Sequence, residues 1–483
     1  MNRGVVTVCA TAALACAASA FAAETDDVAK QNAKEIKQLK QRFETLQQQV
    51  KESSGGSNFG VSWKEGLYFE TKDKQFKANV GGRALLDWAY YEGDRDIEKT
   101  LGKDIENFKA GFRAVRLEVG GTAYNVMEYK VQIDFVEKST DRTVSFTDRG
   151  VDLNADGDFT DPGEYGPVTT SRTVTDSGRI QFKDVYLGFT GLQPFGGDHA
   201  FGARIGHFKE PFSMEELGSS RFTTFLERGL NNVFAPGRNV GAQLSSVHFE
   251  DRLSFAVGGF LETDDDGSIT TDGGKWNLSA RVASQPIWCD YDEFVHLGFS
   301  YSRRNPTGDS ARIRQRPESS FAERFVDTKA LAATGVDLFN PEIAVVYGPF
   351  SAQGEFTYAD IDRRRARNVQ TEGMYAQASY FLTGESRGYS YKNGTFGRIV
   401  PNANFVGPND FLGGPGAWEV AGRFSHLNLN DGAAVQGGEV NDFTAALNWY
   451  PNPNMRVMFN YIYANLVRSG EENIAQMRFQ VDF

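Results

Sequence analysis

The chain ends NIAQMRFQVDF, in which Met477, Phe479, Val481 and Phe483 alternate with Arg478, Gln480 and Asp482. A period of two places the apolar set on one face of a strand and the polar set on the other. Such a strand cannot stand alone: its N–H and C=O groups need a neighbour and its apolar face needs a cover. The same alternation recurs upstream. KVQIDF sets Val131, Ile133 and Phe135 against Lys130, Gln132 and Asp134, and MRVMFNYIYANL puts Met455, Val457, Phe459, Tyr461 and Tyr463 on one side. Sixteen such segments begin near Phe76, Gly111, Asn125, Ile180, Ala200, Asn239, Leu253, Lys275, Phe294, Glu342, Ser351, Gly373, Ala417, Asn441, Met455 and Ile474. Several run ten residues or longer, enough to cross a bilayer at a tilt.

The links between them carry a second signal. Those after even-numbered segments are often short, as at residues 124, 249–251, 348–350 and 450–454, whereas 138–179, 210–238 and 303–340, after odd-numbered ones, are long. Short turns on one rim and long loops on the other are the signature of an up-and-down transmembrane barrel. The link 384–415 breaks the rule; it either folds into the lumen or covers the rim. The fold class expected is therefore all-β, a 16-stranded antiparallel transmembrane β-barrel over 76–483. Lipid tolerates no open sheet edge, so the last strand must pair with the first. Phe479, Val481 and Phe483 then meet lipid, and Arg478, Gln480 and Asp482 meet water in the lumen. By the same alternation Arg83, Arg116, Lys130, Arg204 and Arg423 point inward. Either they touch a permeating anion or they are simply the solvated wall of a polar lumen, balanced by Glu118, Glu128 and Asp134.

The first 22 residues, with Arg3, an apolar run and Ala20-Phe21-Ala22, read as a signal peptide. It takes Cys9 and Cys16 with it, leaving Cys289 without an intrachain partner. No later apolar stretch reaches the 18 residues of a spanning helix. The expected place is the cell outer membrane. Residues 23–52 form a helix in which Ala29, Asn32, Ile36, Leu39, Phe43, Leu46 and Val50 recur at steps of three and four. That seam serves equally a short coiled coil between subunits or one amphipathic helix. SSGGS opens a linker and short lead-in segment over 53–75. A formal charge of -12 argues against a nucleic-acid partner without excluding a local basic site.

DLNADGDFTDPGE places Asp152, Asn154, Asp156 and Asp158 at the spacing that opens a calcium loop, but Gly163 holds the twelfth place and Glu164 falls one late. A structural calcium site and a plain acidic loop are both open readings; no other cofactor is expected. The five His lack metal-ligand spacing, and neither a GxSxG nor a P-loop occurs, so no enzyme is expected.

Residues 201–244, FGARIGHFKEPFSMEELGSSRFTTFLERGLNNVFAPGRNVGAQL, together with GAWEVAGRFSHLNL at 416–429 and the terminal RFQVDF, resemble the phosphate-selective porin O and P family of Gram-negative outer membranes. The resemblance spans about 60–483. It implies a homotrimeric porin that takes up phosphate or related anions through an arginine-lined channel, with outer-membrane lipid and the barrel-assembly machinery, which reads the terminal Phe, as its other partners. The loops that would narrow the channel contain Arg221 and Arg228, and Arg312, Arg314, Arg316 and Arg324. With Arg204 these are the anion-binding candidates. A guanidinium stays charged and offers a rigid fork to phosphate oxygens, and spaced moderate sites let an anion leave again. Two alternatives stand beside this reading: a weakly selective or other-anion channel, and a non-conducting structural protein or adhesin.

Overall fold

All sixteen alternating segments are strands of one antiparallel sheet. They are β1 (Phe76–Gly93), β2 (Phe108–Ala123), β3 (Met127–Asp134), β4 (Gln181–Leu192), β5 (Phe201–Lys209), β6 (Arg238–His248), β7 (Leu253–Leu261), β8 (Trp276–Asp290), β9 (Glu293–Arg304), β10 (Gly335–Tyr347), β11 (Phe350–Asp362), β12 (Val369–Phe381), β13 (Ala417–Asp431), β14 (Val435–Asn452), β15 (Met455–Leu466) and β16 (Gly470–Asp482). The structure, a computed structural model, describes residues 59–483 apart from 64–65, 103, 137–139, 149–167, 177–179, 194–200, 265–266, 270–274 and 406–412. Before them it describes Lys34, Lys37, Gln38, Gln41 and Arg42, which are helical and exposed. All seven residues of the heptad seam, the signal segment and the calcium-like residues Asp152, Asn154, Asp156, Asp158 and Glu164 lie outside the described residues. Among the described residues no helix is long and apolar enough to cross a membrane.

Each strand pairs with the next, and β16 closes onto β1 from Glu472 opposite Gly93 to Asp482 opposite Arg83. The seam finishes on the last residue. Phe483 N–H donates to the Gly82 carbonyl at 3.0 Å, and Gly82 N–H donates to the Phe483 carbonyl at 2.8 Å. Glycine is required there, because a Cβ on Gly82 would lie 2.8 Å from the Phe483 ring and 2.9 Å from the Arg116 carbonyl. Trp63 stacks on the other side of Phe483, and Leu67–Thr71 adds a short strand to the start of β1.

The rim that carries the C-terminus also carries the short turns. Left-handed residues make them tight: Tyr124 and Asn125, Phe249 to Asp251, and Gly348. Exposed Tyr124, Phe249, Tyr291, Tyr347, Phe350 and Tyr380 ring this rim as an interfacial girdle. At the opposite rim the β3–β4 link includes an antiparallel hairpin, Thr140–Asp148 with Val168–Asp176.

Alternation assigns the faces correctly, but the inward face departs from the expectation of a watery lumen. Phe479, Val481 and Phe483 are exposed, while Arg478, Gln480 and Asp482 point inward and are buried against protein. Three links enter the lumen: 210–237, 305–334 and 382–416. Towards the far rim, Leu427, Leu429, Val440, Ile462, Ala464, Leu466 and Ile474 face inward and pack on Leu230, Phe234, Phe325, Val326 and Leu331 of the inserted links. Near this end β15 is apolar on both faces, one for lipid and one for this inner core. Each buried Leu, Ile, Val or Phe contributes about 1.5–3 kcal/mol, so the inserted links are held as firmly as elements of a soluble core. The long link 382–416 is one of them: Phe396 and Tyr389 pack against Phe294 and Val346, and Arg387 lies 3.5 Å over the Phe396 ring.

Candidate functional site

The segment 210–237, between β5 and β6, crosses the lumen as a strap. Its first residue, Glu210, is fully buried and accepts from Arg304 at 2.7 Å and Asn239 at 2.6 Å. A one-turn helix follows, Met214–Leu217, capped by the Ser213 side chain, which accepts from Glu216 N–H at 3.1 Å. Two wall carboxylates complete that helix start: Glu342 accepts from Met214 N–H at 2.9 Å and Glu355 from Glu215 N–H at 2.8 Å. On the opposite wall, inward side chains meet the strap's carbonyls. Arg456 donates to Thr223, Asn448 to Thr224, Arg478 to Leu226 and Gln480 to Arg221. A chain held at both walls leaves little freedom to the side chains it carries.

Beside the strap the lumen stays open as a cleft of about 220 Å³ against β1 to β6. Among the described residues it is lined by nine cations, Arg83, Arg113, Arg116, Lys130, Lys209, Arg221, Arg228, Arg238 and Arg478, against two carboxylates, Asp184 and Glu227. Most of the cations are steadied by acids around the cleft. Arg113 and Arg478 share Glu227, Arg116 pairs with Asp134 at 2.7 Å, Arg238 with Asp184 at 2.7 Å, and Arg228 with Glu216 at 3.1 Å. Burial pushes the Glu227 carboxyl up, but Arg113 and Arg478 outweigh it and hold the group at about 2. Glu216 is likewise held below the usual carboxylate range against the cost of its burial, by Arg228 and Lys209. Arg83 differs. It is buried, and its Nη1 donates to the Ser219 and Ser220 hydroxyls at 3.2 and 3.3 Å, with no carboxylate at ion-pair distance among the described residues. A buried guanidinium matched only by hydroxyls retains most of its attraction for an anion.

Five of the expected residues converge on this cleft: Arg83, Arg116, Lys130, Arg221 and Arg228. Arg204 does not line it. It faces inward, is bonded to Glu128 at 2.8 Å and stacks 4.2 Å over the Tyr186 ring. Arg423 also points inward, but it is buried against Glu318 and is a fastening of the 305–334 link rather than a lining residue. Arg312, Arg314, Arg316 and Arg324 are exposed on that link and near one another. Burial, then the neighbouring guanidinium groups of Arg314, Arg316 and Arg312, push the Arg324 group below its ordinary value. Arg312 is partly neutralised by Asp327.

Arg113, Lys209, Arg238 and Arg478 complete the cleft and were not among the expected anion ligands. Strict alternation puts Arg113 and Arg116 on opposite faces. A β-bulge, where Leu85 pairs with Ala114 but Leu86 with Phe112, leaves Arg113 as the extra residue and turns both guanidinium groups inward. No group of three His, Cys, Asp or Glu among the described residues is placed to hold a metal ion.

The family described as phosphate-selective porin O and P matches residues 80–483. Porin O of Pseudomonas aeruginosa is 25% identical over 446 residues, covering 85% of this chain and 88% of that protein. An uncharacterized protein of Caulobacter vibrioides is 29% identical over 294 residues, covering 56% of this chain and 57% of that one. Similar solved structures include OmpT of Vibrio cholerae, with a TM-score of 0.45, 10% identity and coverage of 85% and 99%. An anion-selective porin from Comamonas acidovorans has a TM-score of 0.44, 11% identity and coverage of 84% and 100%.

Proposed function

Because this chain belongs to the phosphate-selective porin O and P family of outer-membrane porins, we propose that its cleft conducts anions, phosphate foremost, into the periplasm. One observation carries the reading: nine cations against two carboxylates line the open part of the lumen, in a chain whose formal charge is -12. Permeation follows the field in a narrow aqueous path walled by low dielectric, not the charge of the whole surface.

An anion meets the exposed Arg312, Arg314, Arg316 and Arg324 first, then the cleft. There Arg83, Ser219, Ser220 and Arg221 offer it guanidinium and hydroxyl donors. Carboxylates shared among the other cations keep every site moderate, which conduction requires. The same reading includes a homotrimer in outer-membrane lipid, with the helix of residues 23–52 packed as a short coiled coil, and a terminal Phe483 recognised during assembly.

The test is conductance of the full-length protein in a planar bilayer. Anion preference is expected, with chloride current inhibited saturably by phosphate. Arg83→Ala is expected to raise the half-inhibiting phosphate concentration about tenfold or more, the scale of one charge-assisted hydrogen bond. Replacing Arg312, Arg314 and Arg316 together with Ala should raise it less and reduce anion preference. Cation preference would overturn the reading. Anion preference without phosphate inhibition would make it a channel for other anions, and a closed barrel without conductance would make it a structural protein.

A further inference from the structure

One carboxylate just behind the cleft lining is held unlike those within it. Glu118, on β2, lies behind two cations of the cleft lining with its side chain about one-eighth exposed. Its Oε2 lies 3.2 Å from Lys130 Nζ and also accepts from Gln132 Nε2, while its Oε1 lies 3.3 Å from Arg221 Nη2. It therefore bridges a wall cation and a strap cation, both of which line the cleft. The residue paired with it on β1 is Gly81, and the next inward position on β2 is Gly120. A side chain at 81 would meet the Glu118 carboxylate at 3.5 Å, so that oxygen rests in space the glycine leaves to it, and its two cation contacts, at 3.2 and 3.3 Å, are longer than the 2.7 Å at which Asp134, Asp184 and Glu227 hold their arginines.

Taking the anion-channel reading as its basis, we propose that Glu118 is a displaceable internal ligand: a passing anion must push it off Arg221 and Lys130, and this competition selects for multivalent oxyanions. A carboxylate brings one charge and two oxygens to the two cations. A phosphate dianion brings two charges and enough oxygens to replace both contacts and to reach Arg83 as well. Chloride or nitrate brings one charge and cannot compensate for the loss. When the dianion moves on, Glu118 returns, so neither cation is left bare and departure is fast. Glu227 and Asp134 do not fit this role, because each holds its arginine at 2.7 Å.

The experiment compares full-length wild-type protein with Glu118→Gln and Glu118→Asp in planar bilayers, with chloride as carrier and phosphate or nitrate as inhibitor. In Glu118→Gln the half-inhibiting phosphate concentration should fall about tenfold, equivalent to about 1.4 kcal/mol, and the ratio of nitrate to phosphate potency should rise. The shorter carboxylate of Glu118→Asp should give a smaller change in the same direction, and it serves alone if Glu118→Gln fails to form a heat-modifiable barrel. A merely structural Glu118 would loosen Arg221 on removal and weaken the block. Unchanged or weaker phosphate block in the variants, with normal block in wild type, overturns this proposal and leaves the anion channel standing. Cation preference in wild type removes both.

Discussion

Glu227 sits where the strap meets the wall, within 2.7 Å of Arg113 and 3.1 Å of Arg478. Its carboxyl titrates at about 2 when folded, below the about 4.3 of an unfolded glutamate. The pairing therefore contributes fully above about pH 4.3 and is lost as the pH falls through about 2, worth on the order of 3 kcal/mol at most. The expected result is a heat-modifiable barrel whose transition temperature holds from pH 7 to 5. Below about pH 4 its advantage over Glu227→Gln should shrink steadily, and it should vanish only once the pH is below about 2. An advantage as large at about pH 2.5 as at pH 7 would show that this ion pair is not the link. At this scale the sequence is readable only where alternation holds. Arg83, Arg116 and Lys130 follow it into the cleft, Arg113 arrives there through a bulge, and Arg423 obeys it yet is consumed by Glu318. No local pattern announces a bulge or a partner more than a hundred residues away.

Among elements, the link 382–416 departs most from barrel convention. Links on its rim are two to eight residues long elsewhere, as at 348–349, 249–252 and 193–200, whereas this one carries the small hairpin of Tyr389–Ser390 with Thr395–Phe396 into the lumen. Arg281 donates to the carbonyls of Asn393 and Gly394, both at 2.8 Å, and Tyr389 OH is hydrogen-bonded to His296 at 2.6 Å. Removing residues 388–397 should open the lumen beside β8 to β12, raising single-channel conductance about twofold or more and reducing selectivity, since the new path has few cations. Conductance equal to wild type would mean that the strap alone limits flow. The length of this link is plain from the sequence, and so is its anomalous position after the twelfth strand. Its destination is not, because Tyr389 and Phe396 find their partners on β9 and β10, where Phe294 and Val346 pair across the two strands, and nothing within the link points there.

For the molecule as a whole, strand number, order and facing are set by a period of two and the parity of link lengths. Neither signal reveals how much of the lumen is filled, because that depends on contacts between links and distant walls. A homotrimer is the expected assembly, and a trimeric mass in mild detergent, unchanged by deleting residues 24–52, is the result that would support it; a monomeric mass for the full-length protein would refute it. Three heptads contribute too little to hold subunits without the walls. The filled lumen also sets an order of events. Glu318, on the link after β9, bonds to Arg423 on β13, to Thr444 on β14 and, through its carbonyl, to Gln476 on β16. The strap's Leu226 carbonyl is met by Arg478, 252 residues later in the chain. Loop-closure entropy makes such distant contacts slow to form, and none of them exists until the last strands are in place. The wall must be nearly complete before its contents can set, so a newly inserted barrel passes through a stage that is closed to lipid and still wide open to solutes.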